Sequence, residues 1–253
     1  MQTILEYQIT TFANDTCISK IQSWIEADEK ARYFVCANPH SFESAANDII
    51  FKHAIKNADL IVPDGIGIVI ASKLLGGNIQ TRITGTDIFL GLSKELNKSN
   101  KFSVFFLGST EENLAKIKKK MKHDFPNIKI SGTFSPPFKH EFNDEDNKLM
   151  IDAINQAKPD VLWVGMTAPK QEKWIYQNKD RLNVKFIGPI GAVFDFYTGN
   201  VKRSHPFFQN IGLEWLPRLL KQPQRLYSRT LISAPRFFIR ILKQKYMEKS
   251  ACP

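Results

Sequence analysis

Phe102-Ser103-Val104-Phe105-Phe106-Leu107-Gly108-Ser109-Thr110-Glu111-Glu112 reads as a buried strand delivered directly into a helix. The run over 102–107 has the length and apolar content of a strand covered on both faces. The Ser109 or Thr110 hydroxyl can cap the helix that follows, and Glu111 and Glu112 suit its positive end. That helix is rich in lysine and is expected to reach about His123. The same grammar recurs on either side. Upstream, Tyr33–Cys36 precedes a helix predicted over Ser41 to about Asn57, and Leu60-Ile61-Val62 ends in Pro63-Asp64-Gly65. Downstream, Val161–Val164 and Val184–Ile187 are strand-like, with helices predicted from about Asn143 to Ala157 and Pro169 to Asn178. Short apolar runs alternating with helices of this length predict an α/β fold, a mostly parallel Rossmann-like sheet flanked by helices.

The 253 residues suffice for one sizeable core with a smaller appendage. No apolar run approaches the roughly 20 residues of a membrane-spanning helix. The first residues lack a basic stretch followed by an apolar one, so no secretory leader is expected. Cys17, Cys36 and Cys252 are far apart and form no Cys-x-x-Cys pair, which suits a reducing cytoplasm and excludes a disulfide framework. The net charge of +10 is unevenly placed: from Phe196 onward eleven Lys and Arg face only Glu214 and Glu248, which leaves the rest of the chain near neutrality. Prolines at 206, 217, 223 and 235 divide this tail into short helices. We therefore expect a core over 1–199 and a basic helical appendage over 200–253.

Ser233 and Pro235 mark a helix start in the tail. At 100° per residue, Arg236, Arg240 and Lys243 fall on one side with Arg229, and Leu231, Ala234, Phe238, Ile241 and Leu242 on the other, with Lys245 inside the apolar arc. Such a helix can lie among anionic headgroups or dock on the body. Charge this one-sided favours an anionic surface. Phe207, Phe208, Phe237 and Phe238 stand among helical aliphatics, which suits lipid or core better than base stacking. A basic nucleic-acid-binding protein is thus the rival reading, and no nucleic-acid partner is expected.

The densest chemistry lies in Asp59-Leu60-Ile61-Val62-Pro63-Asp64-Gly65-Ile66-Gly67-Ile68-Val69. A carboxylate at a strand end, followed by two glycines and a helix, occupies the position where open parallel sheets bind ligands. Pro-Asp-Gly is also an ideal turn, and the third glycine of a dinucleotide fingerprint is missing. Three more strand-to-helix junctions are polar: Cys36-Ala37-Asn38-Pro39-His40-Ser41, Arg82-Ile83-Thr84-Gly85-Thr86-Asp87, and Gly165 through Glu172. All four would converge on one sheet edge as a ligand cleft. Asp144-Glu145-Asp146 has the Asp-x-Asp form of a metal-nucleotide motif, but begins a helix, where acids are expected from the helix dipole alone. The five histidines show no paired ligand spacing, so no metal site is predicted.

At these residues the chain resembles the WecG/TagA/CpsF family of bacterial glycosyltransferases. The matching stretches are Asn38-Pro39, the segment through Asp64, RITGTDI (82–88), APKQEKWI (168–175), GAVFDFYTG (191–199) and GLEWLPRLLKQPQRL (212–226), in order along the chain. The resemblance implies metal-independent, inverting transfer from a UDP-sugar to an undecaprenyl-diphosphate-linked sugar, without a cofactor. The sugar would be N-acetylmannosamine or its uronic acid, or a glucosyl- or glucuronosyl-type unit in exopolysaccharide relatives. It casts Asp64 as general base. Asn38, Arg82, Gln171 and Asp195 become donor-pocket residues, joined on chemical grounds by Gly65, Thr84, Gly85 and Lys170. Arg218, Arg225 and Arg229 would hold the acceptor diphosphate. The chain would then work in the cytoplasm, peripherally on the inner face of the plasma membrane. Two departures stand out: Cys36, where relatives often have threonine, and Gln222, where a Glu-Pro pair is usual.

Overall fold

The computed structural model describes residues 1–202 and 228–251. Gln2–Ile4 (β1) and Tyr7–Ile9 (β2) pair as an antiparallel hairpin, and Asn14–Glu26 (α1) leads to Arg32–Ala37 (β3). Pro39–Ala45 (α2) and Ile49–Lys56 (α3) precede Leu60–Pro63 (β4), followed by Ile66–Leu74 (α4) and Gly85–Leu96 (α5). Ser103–Gly108 (β5), Glu111–Asp124 (α6), Lys129–Phe134 (β6), Asp144–Ala157 (α7) and Val161–Gly165 (β7) come next. Lys170–Asn178 (α8), Phe186–Pro189 (β8) and Val193–Thr198 (α9) follow, and after a π-helical turn over Ser228–Ser233 the helix Ala234–Ala251 (α10) closes the described chain.

Six strands form one sheet in the order β4-β3-β8-β7-β5-β6, with every pairing parallel. The expected α/β class is therefore met. Side chains alternate across the sheet as a strand's period of two requires. Val35, Ile61, Leu107, Val164 and Ile187 face α2, α3, α4, α7 and α8, while Phe34, Val62, Phe106, Trp163 and Phe186 face α1, α5, α6 and α9. With helices on both faces, the strands read as apolar runs.

The predicted helix from Ser41 to Asn57 is two helices. Asp48 accepts a hydrogen bond from Phe51 N–H at 3.0 Å and so caps a new helix, ending α2 at Ala45. The strand predicted over Val184–Ile187 begins at Phe186, because Ala31 and Arg32 take their bonds from the Val184 and Lys185 carbonyls before the ladder starts. The tail helix starts where Ser233 and Pro235 placed it, but its contact face differs from the projected one. Phe237 and Ile241 are fully buried, whereas Leu231 and Leu242 are exposed. Phe237 packs against Phe42 of α2 at a centroid distance of 6.1 Å, and Phe42 stacks in turn on Tyr7 at 4.4 Å. Arg240 pairs with Glu43 at 3.0 Å, His40 Nδ1 meets Ser233 Oγ at 2.9 Å, and Gln244 accepts from Leu5 N–H at 2.7 Å. The helix thus docks on the body through a face between the two arcs read from sequence. It keeps Ile239, Leu242 and Tyr246 outward on a second face. No described helix is long and apolar enough to cross a membrane.

Truncating Phe237 to Ala removes a ring with no exposure, and a core Phe→Ala change costs about 3–5 kcal/mol. Denaturant unfolding of the Phe237→Ala variant is expected to show a midpoint lowered accordingly, with the same slope as wild type.

Candidate active site

All six strands point one way, so their carboxyl ends share an edge. From β3 across to β6, neighbouring strands send the chain to opposite faces: β3 leaves for α2 and β8 for α9, β7 for α8 and β5 for α6, and β6 for α7. Such divergences open a crevice in doubly wound sheets. The four polar segments expected from sequence lie along this edge, but only three are strand-to-helix junctions: Arg82–Asp87 joins α4 to α5 and follows no strand.

Asp64 follows β4 directly, and its N–H bonds Ala37 O at 2.7 Å, which carries the β3–β4 ladder one residue further. Gly65 then takes φ +97°, a left-handed region that disfavours a side chain, and among the described residues no atom lies within 4 Å of where a Cβ would stand. No described residue covers the backbone that follows Asp64 at the start of α4. Ile83 N–H bonds Pro63 O at 2.8 Å, which brings Arg82 alongside Asp64 although 18 positions separate them. Thr84 caps α5 in a reciprocal box with Asp87: Asp87 N–H donates to Thr84 Oγ1 at 3.3 Å, and Thr84 N–H donates to Asp87 Oδ2 at 2.8 Å. Gly85 is buried because Val193 Cγ2 and Ile190 Cα would lie 3.5 and 3.6 Å from a Cβ there. The turn between β8 and α9 thus sits on the first turn of α5.

Asn38 caps α2: its Oδ1 accepts from Ser41 N–H at 3.0 Å, and Ser41 Oγ accepts from Asn38 N–H at 2.9 Å. Cys36, paired with Val62 near the end of β3, carries a partly buried thiol. Burial, and then Asp64, Glu172 and Asp87, push this thiol well above its ordinary range, while the Gly85 N–H opposes them.

Gln171 is buried, donates from Nε2 to Glu172 Oε1 at 2.8 Å, and accepts at Oε1 from Gly191 N–H at 3.0 Å. It therefore ties α8 to the β8–α9 turn. Glu172, to which sequence reasoning gave no role of its own, is 6% exposed, and its Oε2 has no hydrogen-bond partner among the described residues. Burial raises its pKa above 4.5, partly opposed by the Gln171 amide. Acids are common in first turns, and no sequence signal distinguishes a buried one. Lys170 turns away from these groups. Its ammonium donates to the Lys139 carbonyl and lies 3.6 Å from the Phe142 ring centroid.

Asp195 in α9 stands at the other end of the edge, near β5. It accepts from Asn113 Nδ2 at 3.0 Å. Asn113, which sequence reasoning passed over, is 2% exposed and also bonds Ser109, Thr198 and Asn200. A groove of about 390 Å³ opens beside Asp195 between α5, α6 and α9, lined by Thr86, Leu90, Phe196 and Tyr197 among others. Its walls are mostly apolar, and the site residues lie beside it on the sheet edge.

Asp144-Glu145-Asp146 forms the first turn of α7, where Asn143 and Asp146 close a capping box. Lys139 Nζ bonds both Asp146 oxygens at 2.9 and 2.8 Å and holds that carboxyl below its usual range. The motif serves the helix start. Among the described residues no cluster of three His, Cys, Asp or Glu could hold a metal ion. Arg218 and Arg225 lie outside the described residues; Arg229 belongs to the π-helical turn, its side chain outside them.

A model of the Glycosyl transferase WecG/TagA/CpsF family matches residues 2–251. The chain belongs to this family. It is accordingly a glycosyltransferase, and the family's match spans the sheet, the cleft edge and α10 together. Similar proteins named N-acetylglucosaminyldiphosphoundecaprenol N-acetyl-beta-D-mannosaminyltransferase occur in three species. The Bacillus spizizenii protein is 32% identical over 95% of this chain and 88% of its own length. That of Bacillus subtilis is 31% identical over 85% and 81%, and that of Staphylococcus aureus 30% identical over 87% and 83%.

Glu172 makes the stability of the apo protein pH-dependent. Its folded pKa lies above the unfolded value of 4.5, so its contribution is complete below that pH and is lost as pH rises. Between about pH 5 and about pH 8 the thermal midpoint of wild type is expected to fall more than that of Glu172→Gln, as measured by calorimetry.

Proposed function

We propose that the chain transfers N-acetylmannosamine from UDP to an undecaprenyl-diphosphate-linked N-acetylglucosamine, with inversion and without a metal. The observation that carries this reading is the juxtaposition of Asp64 and Arg82 by the Pro63–Ile83 backbone bond at the start of α4. The names of the relatives supply the sugar and acceptor. A uronic acid or a glucosyl-type donor is the alternative within the family.

Asp64 takes the proton of the acceptor hydroxyl while that oxygen attacks the anomeric carbon from the face opposite the leaving group. The bond from the anomeric carbon to the β-phosphate oxygen breaks, and UDP leaves with the electron pair. Arg82 and the amides at the start of α5, Gly85 foremost, stabilise the charge that grows on the diphosphate. Thr84 keeps that helix start in register. Asn38 and Gln171 shape the sugar end of the cleft, and Gly65 gives the donor close access to the backbone. Asp195 accepts from hydrogen-bond donors of the nucleoside. Lys170 serves the donor only if it leaves the Lys139 carbonyl, so we assign it the weakest part. Arg218, Arg225 and Arg229 hold the acceptor diphosphate, the arginine fork being matched to phosphate oxygens.

We divide the chain into a catalytic core over 1–199 and an appendage over 200–253 that meets the cytoplasmic face of the plasma membrane. Support comes from the outward face of α10, where Ile239 is 54%, Leu242 55% and Tyr246 75% exposed. At 100° per residue Arg236 and Lys243 border this apolar stripe on one side and Lys245 on the other, the pattern of a helix lying among anionic headgroups.

Release of UDP from UDP-N-acetylmannosamine, measured in EDTA, is expected to require a polyprenyl-diphosphate-N-acetylglucosamine acceptor. It should fall about a hundredfold or more in Asp64→Asn. Acceptor-independent release, or a requirement for added metal, would contradict this mechanism. Replacing Ile239, Leu242 and Tyr246 together by Ser is expected to abolish co-sedimentation with phosphatidylglycerol vesicles while leaving the thermal midpoint near wild type. Undiminished vesicle binding would remove this face from the membrane contact.

A further inference from the structure

Asn113 has no part in the chemistry described above, yet its side chain makes four hydrogen bonds at the sheet edge. Asn113 is the third residue of α6, and its backbone N–H is capped by Thr110 Oγ1 at 3.2 Å. Its side chain leaves the helix start and spans the gap to α9. There Nδ2 donates to Ser109 Oγ at 2.9 Å and to Asp195 Oδ1 at 3.0 Å, while Oδ1 accepts from Thr198 Oγ1 at 2.7 Å and from Asn200 Nδ2 at 2.8 Å. A primary amide has two N–H donors and two acceptor lone pairs, so all four capacities are used. The two groups donating to Oδ1 forbid a flip, because a rotated amide would set N–H against N–H at Asn200. At 2% exposure, water cannot replace a lost partner.

The geometry assigns Asn113 as the positioning residue of Asp195: it fixes one carboxylate oxygen so that the other faces the donor nucleoside. No described residue donates to Asp195 Oδ2. The element that carries Asp195 is a helix of only six residues, too short to hold its own conformation in water. Two of its side chains, Asp195 and Thr198, are tied to Asn113, while Tyr197 Oη donates to Asp124 at 2.9 Å further along. The approach to Asn113 is also built for it. Gly108 and Ser109 take φ +109° and +62° in succession, turning the chain sharply at the end of β5 and bringing Ser109 Oγ under the amide. Lys116 Nζ donates to Asn200 Oδ1 at 3.1 Å and holds the last acceptor-side partner in place. Glu111 and Glu112 make this helix start a poor seat for phosphate, which leaves it to the uncharged end of the donor.

This inference rests on the UDP-donor reading and is tested separately from it. UDP affinity is measured by calorimetry, and donor KM and kcat by UDP release, for wild type, Asn113→Asp, Asp195→Asn and the double variant. Asn113→Asp keeps the size of the side chain and sets a carboxylate against Asp195. It is expected to weaken UDP binding about tenfold and to raise donor KM alike, with kcat at saturating donor within about threefold of wild type, since one charge-assisted hydrogen bond is worth roughly that factor. The two single losses should not multiply in the double variant, because Asn113 acts through Asp195. Thr198→Val, which frees one side of the amide, provides a milder variant should Asn113→Asp not fold, and is expected to weaken UDP binding in the same direction. Wild-type affinity in Asn113→Asp or, failing its folding, in Thr198→Val would overturn the inference, as would losses that multiply in the double variant. Failure of the wild-type chain itself to bind UDP would overturn the donor reading and this inference with it.

Discussion

The sheet edge depends on how closely the turn after β8 approaches it. A Cβ on Gly165 would meet the Phe194 ring at 2.2 Å, and one on Gly108 would meet Gly165 O at 2.6 Å. These two residues are bare so that α9 can lie across the ends of β5 and β7. Once it does, Gly191 takes a left-handed φ of +52° and donates to Gln171, Val193 packs on Gly85, and Asp195 comes within reach of Asn113. Three helix starts, those of α5, α6 and α8, are thereby referenced to one short turn. A side chain at Gly165 would lift that turn and loosen all three together.

The electrostatics of the edge follow from this crowding. Asp64, Asp87 and Glu172 arrive from separate segments, and after burial they help push the Cys36 thiol above its ordinary range. Asp87 is occupied by the Thr84 cap and Asp146, further along, by Lys139, so each serves a helix start. Glu172 differs in having one oxygen with no described partner in a buried setting. Arg82 is held to the same edge by the backbone bond between Ile83 and Pro63, which gives an acidic cleft a cation.

The strands were legible because burial on both faces leaves an apolar run, as in Phe102–Leu107, and the junctions because caps and turns use a restricted vocabulary. Thr110, Asn143 and Thr84 cap helices that their residue types announce. Asp48 was misread because Ile49 through Lys56 continues an apolar periodicity that hides the cap. Asn113 and Glu172 could not be singled out, since their importance lies in partners 82 positions away and in burial, neither of which is local. Phe237 lay between the two arcs of the helical projection because the body accepts a narrow ridge, Phe237 and Ile241, rather than the whole apolar side.

The Glu172 oxygen with no partner among the described residues bears on what the chain gives up to keep its cleft ready. A buried carboxyl so placed is a local conflict, and such conflicts tend to gather where a protein must act rather than merely persist. Substitutions that relieve a conflict of this kind trade readiness for robustness.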